Sequence, residues 1–135
     1  MTLEPLLLAP LVIQLHVVTV VLAWLVGTYV MFFVKRGTSL HKTLVYVFMG
    51  LLTTTSFIAL FIHHAAPILL GFSLVHLTIP WTLLLIFLAI QGARKKSLGQ
   101  HRLAIIGLYV GSLTITGIVN LVTPTHLIHH VFFTK

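Results

Sequence analysis

Long runs of apolar residues dominate this chain, and short polar stretches separate them. Four of the runs reach the ~20 residues that a helix needs to cross the hydrocarbon core of a bilayer. They cover about 11–34, 43–63, 71–93 and 103–122, and their centres contain no Asp, Glu, Lys or Arg. The pattern predicts an all-α fold, in which residues 1–135 form a single domain of four transmembrane helices packed as a bundle.

The composition agrees with a membrane location. Hydrophobic residues make up 59% of the chain and charged residues 7%, and the mean hydropathy of +1.14 lies outside the range of soluble globular proteins. Because Glu4 is the only acidic residue, the spans offer no carboxylates for acid–base catalysis or cation transport. The absence of cysteine excludes disulfides, thiolate metal sites and thiol redox chemistry. No basic segment precedes the first run and no small-residue cleavage site follows it, so we expect that run to remain as a helix.

The positive charges indicate the topology. Seven of the eight Lys and Arg residues lie in two short loops, within residues 35–42 and 94–102. Cations collect in the cytoplasmic loops of membrane proteins, so we expect both loops to face the cytoplasm and both termini and the 64–71 loop to lie outside. The formal charge of +7 therefore indicates topology and contact with lipid headgroups, and we expect no nucleic-acid partner.

Two pairs of histidines recur with one spacing. His16 and His41 are 25 residues apart (41 − 16), His76 and His101 are also 25 apart (101 − 76), and the pairs are offset by 60. In each pair the second histidine follows a basic loop and has a cation directly after it. The pattern predicts one two-helix unit that is used twice. Because each unit has two spans, the two halves would share one orientation in the membrane.

Two local features define the surroundings of the first pair. Residues 37–39, Gly-Thr-Ser, predict a turn that supplies an N-cap for the second helix and places His41 in its first turn. Ala23 and Gly27 follow His16 at +7 and +11 on one helical face. Small residues there leave room below His16 for another helix or a flat ligand.

Six segments of the chain carry a family resemblance: Gly37-Thr38-Ser39-Leu40-His41-Lys42, Gly71-Phe72-Ser73-Leu74-Val75-His76-Leu77, Ala93-Arg94-Lys95-Lys96, Gln100-His101-Arg102, Gly107-Leu108-Tyr109-Val110-Gly111, and Pro124 through His129. On these segments the chain resembles the bacterial membrane-protein family called domain of unknown function 2306. The resemblance implies a multi-pass protein of the bacterial cytoplasmic (inner) membrane, and it implies no function.

The layout of two histidines per two-helix unit is similar to the four-helix core of the cytochrome b-561 family. In that family, histidines on alternate helices bind two b-type haems, one near each membrane face. The likeness implies a small integral-membrane redox or electron-transfer protein with haem b as its cofactor. His16 and His76 would hold an outer haem, and His41 and His101 an inner haem.

The expected order of the helices agrees with this interpretation. If the four helices follow each other round the bundle, the first and third are diagonal, and so are the second and fourth. Each histidine pair then spans a diagonal, a separation that suits a porphyrin with axial imidazoles better than a small ion. Lys42 and Arg102 would pair with the propionates of an inner haem. The alternative for His41 and His101 is an interfacial contact with headgroups and loop carbonyls.

A metal site is the second hypothesis. Most of the histidines lie near the predicted outer face, and neutral imidazole suits Zn or Cu ions. Such a membrane protein would bind or handle a divalent metal. The alternative is that the histidines of the tail are polar interfacial residues. The candidate ligands are His16, His63, His64, His76 and His129.

A third hypothesis is a non-catalytic accessory subunit of a larger membrane complex. Gly107 and Gly111 form a GxxxG motif in the last helix, and this motif lets another helix approach closely. A homodimer would use the same face, and a membrane redox partner is the expected partner of a haem protein.

The charge distribution makes a testable prediction about topology. Reporter domains fused after residues 37 and 97 should both report a cytoplasmic position, because cations hold these loops on that side of the membrane. A fusion at the C-terminus is the control and should report the outer side. Strong outer-side signals at both basic loops would contradict the predicted topology.

Overall fold

The chain is helical wherever the computed structural model describes it, at residues 4–62 and 74–122. Within these two ranges there is no strand, and only short turns separate the helices. The predicted all-α fold is confirmed.

Six α-helices, one 3-10 turn and one π-helical segment make up the described ranges. They are α1 (Glu4–Leu7), α2 (Leu11–Phe32), α3 (Ser39–Ala59), the 3-10 turn Leu74–Leu77, α4 (Thr78–Arg94), α5 (Leu98–Gly107), the π-helical segment Leu108–Ile115 and α6 (Thr116–Val122). The last three elements are continuous, and we call them together the last span, Leu98–Val122.

Among the described residues, three helices are long and apolar enough to cross a membrane, namely α2, α3 and the last span. This indicates a membrane protein. α4 is apolar but has 17 residues, and the 3-10 turn precedes it directly. Pro80 explains the change of helix type, because it has no N–H with which to bond the carbonyl of residue 76. Three of the four predicted spans are therefore confirmed in length, and the fourth stays a prediction.

α3 and α5 begin before the apolar runs 43–63 and 103–122, and for α3 this is the start that the predicted N-cap requires. They start at Ser39 and Leu98 rather than near residues 43 and 103. The added turns contain polar and cationic side chains. A helix tolerates these side chains where it leaves the bilayer, because Lys and Arg there extend their charged ends into water. His41 and His101 consequently lie within the first turns of regular helices.

The helices follow each other round the bundle. α2 packs along α3, α3 packs against α4, α4 packs along α5, and the π-helical segment contacts both α2 and α4. α2 and α4 are therefore diagonal, and so are α3 and the last span, as predicted. Residues 33–42 and 94–102, which connect these helices in pairs, lie together at one end of the bundle. We call them the basic end.

The buried positions test the predicted repeat in part. Phe48 of α3 and Leu108 of the last span are the largest fully buried side chains, and they are 60 residues apart (108 − 48). In the first helix of each unit the pattern differs, because Gly27 is buried whereas Phe87, 60 residues later, is 59% exposed. The second helices share this buried position, whereas the first helices do not share theirs. The two-repeat layout therefore stays a prediction.

Large apolar side chains cover the outside of the bundle. Trp24, Phe57, Phe87 and Val119 are among those that are exposed on the long helices. An apolar surface of this extent marks a contact with membrane or with other protein. In a bilayer the lipid tails would cover it.

The face of α2 below His16 is filled by side chains of two other helices, which is one of the two occupants expected there. A Cβ atom at Gly27 would lie 2.7 Å from Cε2 of Phe48 and 3.0 Å from Cδ2 of Tyr109. The Tyr109 hydroxyl also shares a hydrogen bond of 2.8 Å with the Thr28 hydroxyl. Two aromatic rings from neighbouring helices therefore occupy the room that Gly27 was predicted to leave for another helix or a flat ligand.

The GxxxG face of the last span packs within the chain. A Cβ atom at Gly107 would lie 3.2 Å from Cδ1 of Leu85, and one at Gly111 would lie 3.7 Å from Nε1 of Trp81. Both glycines therefore face α4. The close packing that this motif predicts therefore occurs with a helix of the same chain, and packing against a second subunit through these glycines stays a prediction.

Packing at Gly27 makes a prediction about stability. Gly27→Ala should lower the free energy of unfolding by about 1–3 kcal/mol, the usual cost of overpacking, because the Phe48 ring is buried and has no room to retreat. Gly50→Ala is the matched control, since no atom lies within 4 Å of a Cβ there, and it should leave stability unchanged or raise it. Unfolding in mixed detergent micelles, followed by circular dichroism, measures both. Equal losses in the two variants would contradict this packing.

Candidate functional site

Two histidines lie near each other at the basic end. His41 lies in the first turn of α3 and His101 in the first turn of α5, on diagonal helices. A positive charge on His101 disfavours a positive charge on His41, and the positive charge of Arg36 has the same effect on His41. Both histidines are partly buried. The structure thus brings together the pair that was predicted to form the inner level.

A backbone carbonyl orients His101. Its Nδ1 lies 2.8 Å from the carbonyl oxygen of Ala89 in α4. A carbonyl only accepts hydrogen bonds, so Nδ1 donates, and in the neutral imidazole the lone pair then lies on Nε2. Metal-bound histidines commonly have this arrangement, in which the second ring nitrogen donates to a carbonyl or carboxylate. The neutral ring of His101 therefore has its lone pair on Nε2.

Close packing of two backbones positions that hydrogen bond. A Cβ atom at Gly92 would lie 2.6 Å from the backbone nitrogen of His101 and 3.0 Å from its Cα. The Gln100 side-chain amide ties the same corner together, donating to the Leu88 carbonyl at 3.3 Å and to the Gln91 side-chain oxygen at 3.2 Å. The sequence analysis did not predict these contacts between α4 and α5. The only feature of the sequence that could have indicated them is the glycine near the end of α4.

His41 contains a buried nitrogen that makes no hydrogen bond. Its backbone N–H donates to Oγ1 of Thr38 at 3.1 Å, and Gly37, at φ 82°, closes the turn before it. This is the predicted N-cap. The imidazole Nδ1, by contrast, is buried without a partner. An unpaired buried polar atom costs ~1–3 kcal/mol, so a ligand or a water molecule is expected beside this ring.

Seven exposed cations lie at the basic end with this pair. Residues 33–42 and 94–102, which form the basic end, contain no Asp or Glu, and the only acidic residue of the sequence is Glu4 in α1. Two of the seven directly follow the two histidines. The cations are Lys35, Arg36, Lys42, Arg94, Lys95, Lys96 and Arg102.

The second predicted level lies towards the opposite end of the bundle. His16 is partly buried on α2 with its Nδ1 buried, and His76 is partly buried in the 3-10 turn before α4. The other proposed metal ligands, His63, His64 and His129, lie outside the described residues. Within the part of the chain that the structure describes, no three or more His, Cys, Asp or Glu side chains are grouped so that they could hold a metal ion. The metal hypothesis stays a prediction.

Buried hydroxyl groups also lie away from the basic end. Thr82 of α4 is buried and donates to the Ser112 hydroxyl at 2.8 Å. Thr55 of α3 is also buried, and its hydroxyl makes no hydrogen bond. In the π-helical segment, Thr114 donates to the carbonyl of Tyr109, five residues earlier, at 2.9 Å. π-helical turns occur often at functional sites. The only feature of the sequence that indicates this π-helical segment is the presence of hydroxyl residues within an apolar span.

Comparisons with known proteins add no family. No protein-family model, curated protein or solved structure matches the chain. Membership of the domain of unknown function 2306 family and the likeness to the cytochrome b-561 core therefore stay predictions.

The contact at Gly92 makes a prediction about His101. With the histidine nitrogens isotope-labelled, NMR spectra in micelles should show that Nδ1 of His101 carries a proton that is hydrogen-bonded. Gly92→Ala should shift this signal, because the added methyl group would displace the His101 backbone from α4. Gly99→Ala is the control, since no atom lies within 4 Å of a Cβ there. An unchanged His101 signal in the Gly92 variant would contradict the proposed orientation.

Proposed function

We propose that this chain is a small integral-membrane redox protein that carries electrons through b-type haem ligated by histidine. The inner site, His41 and His101, is the main part of the proposal. One observation carries it, the hydrogen bond from Nδ1 of His101 to the carbonyl of Ala89. This bond leaves Nε2 as the nitrogen with the lone pair, as an axial ligand requires.

The residues at the basic end fit a haem. Two imidazoles on diagonal helices suit the two sides of one porphyrin. The unpartnered Nδ1 of His41 leaves a polar atom for which the described chain supplies no bond. Lys42 and Arg102 are exposed cations next to the two ligands, and they suit the propionates. The haem would supply one-electron redox chemistry, while the chain binds the iron, orients the imidazoles and offsets the propionate charge.

The outer site, His16 and His76, is the second part of the proposal. The diagonal placement of α2 and α4 supports it. Because the rings of Phe48 and Tyr109 fill the space at Gly27, an outer haem would lie on the side of His16 away from that packing. Two haems, one at each end, would carry electrons across the bilayer.

The proposal includes a topology. The basic end would face the cytoplasm, and both termini would lie outside the bacterial cytoplasmic membrane. The supporting observation is that seven exposed cations lie at one end of the bundle. Electrons would then pass between an outer partner and a cytoplasmic one.

Absorption spectra of the purified, untagged full chain test the haem proposal. We expect a Soret band that shifts on reduction with dithionite, because the spectrum of bis-histidine haem depends on the oxidation state of the iron. His101→Ala should remove about half of the absorbance if two haems bind, and all of it if only the inner haem binds. His130→Ala changes a histidine outside both sites and should leave the spectrum unchanged.

Elemental analysis of the same samples separates the haem and metal hypotheses. Iron in proportion to the Soret absorbance supports haem. Zinc or copper that disappears when His76→Ala and His129→Ala are combined would support a metal site instead. Protein that stays colourless after titration with hemin would overturn the haem proposal.

A further inference from the structure

We infer that the basic end binds the headgroup of an anionic phospholipid, which bridges the corner between α2 and α3 and the corner between α4 and α5. The first corner contributes Lys35 and Arg36, and the second contributes Lys95 and Lys96. The inference does not rest on the proposed haem, because it uses cations other than the two that follow the histidines. It goes beyond general contact with a bilayer, because one lipid would join two separate corners.

The basic end itself, residues 33–42 and 94–102, contains no Asp or Glu. Seven exposed Lys and Arg residues lie there. The only acidic residue of the sequence, Glu4, lies in α1, which comes before the start of α2. Like charges that are crowded together repel each other, and an anion from outside the chain relieves that repulsion. The basic end is therefore suited to an anionic partner.

The two corners lie at the same end of the bundle, because α2 packs along α3, α4 packs along α5, and α3 packs against α4. A positive charge on Arg36 or on His101 disfavours a positive charge on His41, so groups of the two corners are close enough to act on each other. Both corners are short, and each contains a residue in the left-handed region, Gly37 at φ 82° and Lys96 at φ 55°. A corner that is already ordered loses little conformational freedom when it binds a ligand.

Exposed apolar side chains beside the cations identify the partner as a lipid. Phe33 is 74% exposed just before Lys35, and Leu98 is 78% exposed just after Lys96. An exposed apolar side chain next to a cation suits the boundary of a bilayer, where the apolar side chain lies among acyl chains and the cation among headgroups. A soluble acidic protein or free phosphate would satisfy the cations alone. An anionic phospholipid satisfies both, through its phosphate and its acyl chains.

Native mass spectrometry of the purified full chain tests this inference. The chain is titrated in micelles with phosphatidylglycerol or with phosphatidylcholine, and the retained lipid is counted. We expect at least about tenfold tighter retention of phosphatidylglycerol, because each cation near an anionic headgroup adds to the attraction. Micelles are used because the loss of loop cations in a cell can change the topology itself.

Paired substitutions distinguish a bridging lipid from diffuse attraction. Lys35→Gln with Arg36→Gln should remove most of the preference for phosphatidylglycerol, and so should Lys95→Gln with Lys96→Gln. All four together should lose little more, because one lipid needs both corners, whereas independent patches would show additive losses and overturn the bridge. Lys95→Arg with Lys96→Arg keeps the charge and should keep the preference.

Measurements on the unsubstituted chain test the same inference without any change in folding. Raising the salt concentration from about 50 to about 500 mM should weaken retention of phosphatidylglycerol, because salt screens exposed charges. Neither inorganic phosphate nor an acidic peptide should displace the lipid. Equal retention of the two lipids, insensitivity to salt, or displacement by either soluble anion would overturn the inference.

Discussion

Close approach of helices at glycine holds this bundle together. Lipid tails are as apolar as the side chains that they would replace, so helices in a membrane associate through packing and polar contacts rather than through the hydrophobic effect. The closest approaches lie at Gly27, where α2 meets α3, and at Gly92, where α4 meets α5. At each, a Cβ atom would lie 2.7 Å or less from the next helix. The order of the helices, and with it the place of each histidine, depends on these contacts.

The two contacts have different consequences for the histidines. Gly92 packs against the backbone of His101 itself, so the contact that joins α4 to α5 also brings that imidazole to a carbonyl of α4. Gly27 instead packs against Phe48, two turns beyond His41, and the Nδ1 of His41 makes no hydrogen bond. One inner histidine is therefore oriented by a backbone carbonyl, whereas the other has a buried ring nitrogen without a hydrogen-bond partner among the described residues.

Hydroxyl groups show how the interior adapts to a solvent without hydrogen-bond donors. In a bilayer each polar side chain needs a partner within the protein. Thr53 and Thr54 donate to carbonyls four residues earlier in α3, whereas Thr114 donates to a carbonyl five residues earlier in the π-helical segment. That segment also bonds to α4, through Ser112 and Thr82. The last span departs from α-helical geometry where its polar side chains meet the neighbouring helices.

The sequence by itself determined the helices, the turn at Gly37 and the gathering of cations in two loops, because run length, turn chemistry and loop charge depend on neighbours along the chain. The sequence also predicted that His41 and His101 lie at the same end of the bundle, because each lies at the start of a helix that follows a basic loop. Only the tertiary structure decided that aromatic rings fill the space at Gly27 and that Gly92 meets His101. Those contacts depend on the rotation of each helix and its distance from the next, and the periodicity of a uniformly apolar helix specifies neither.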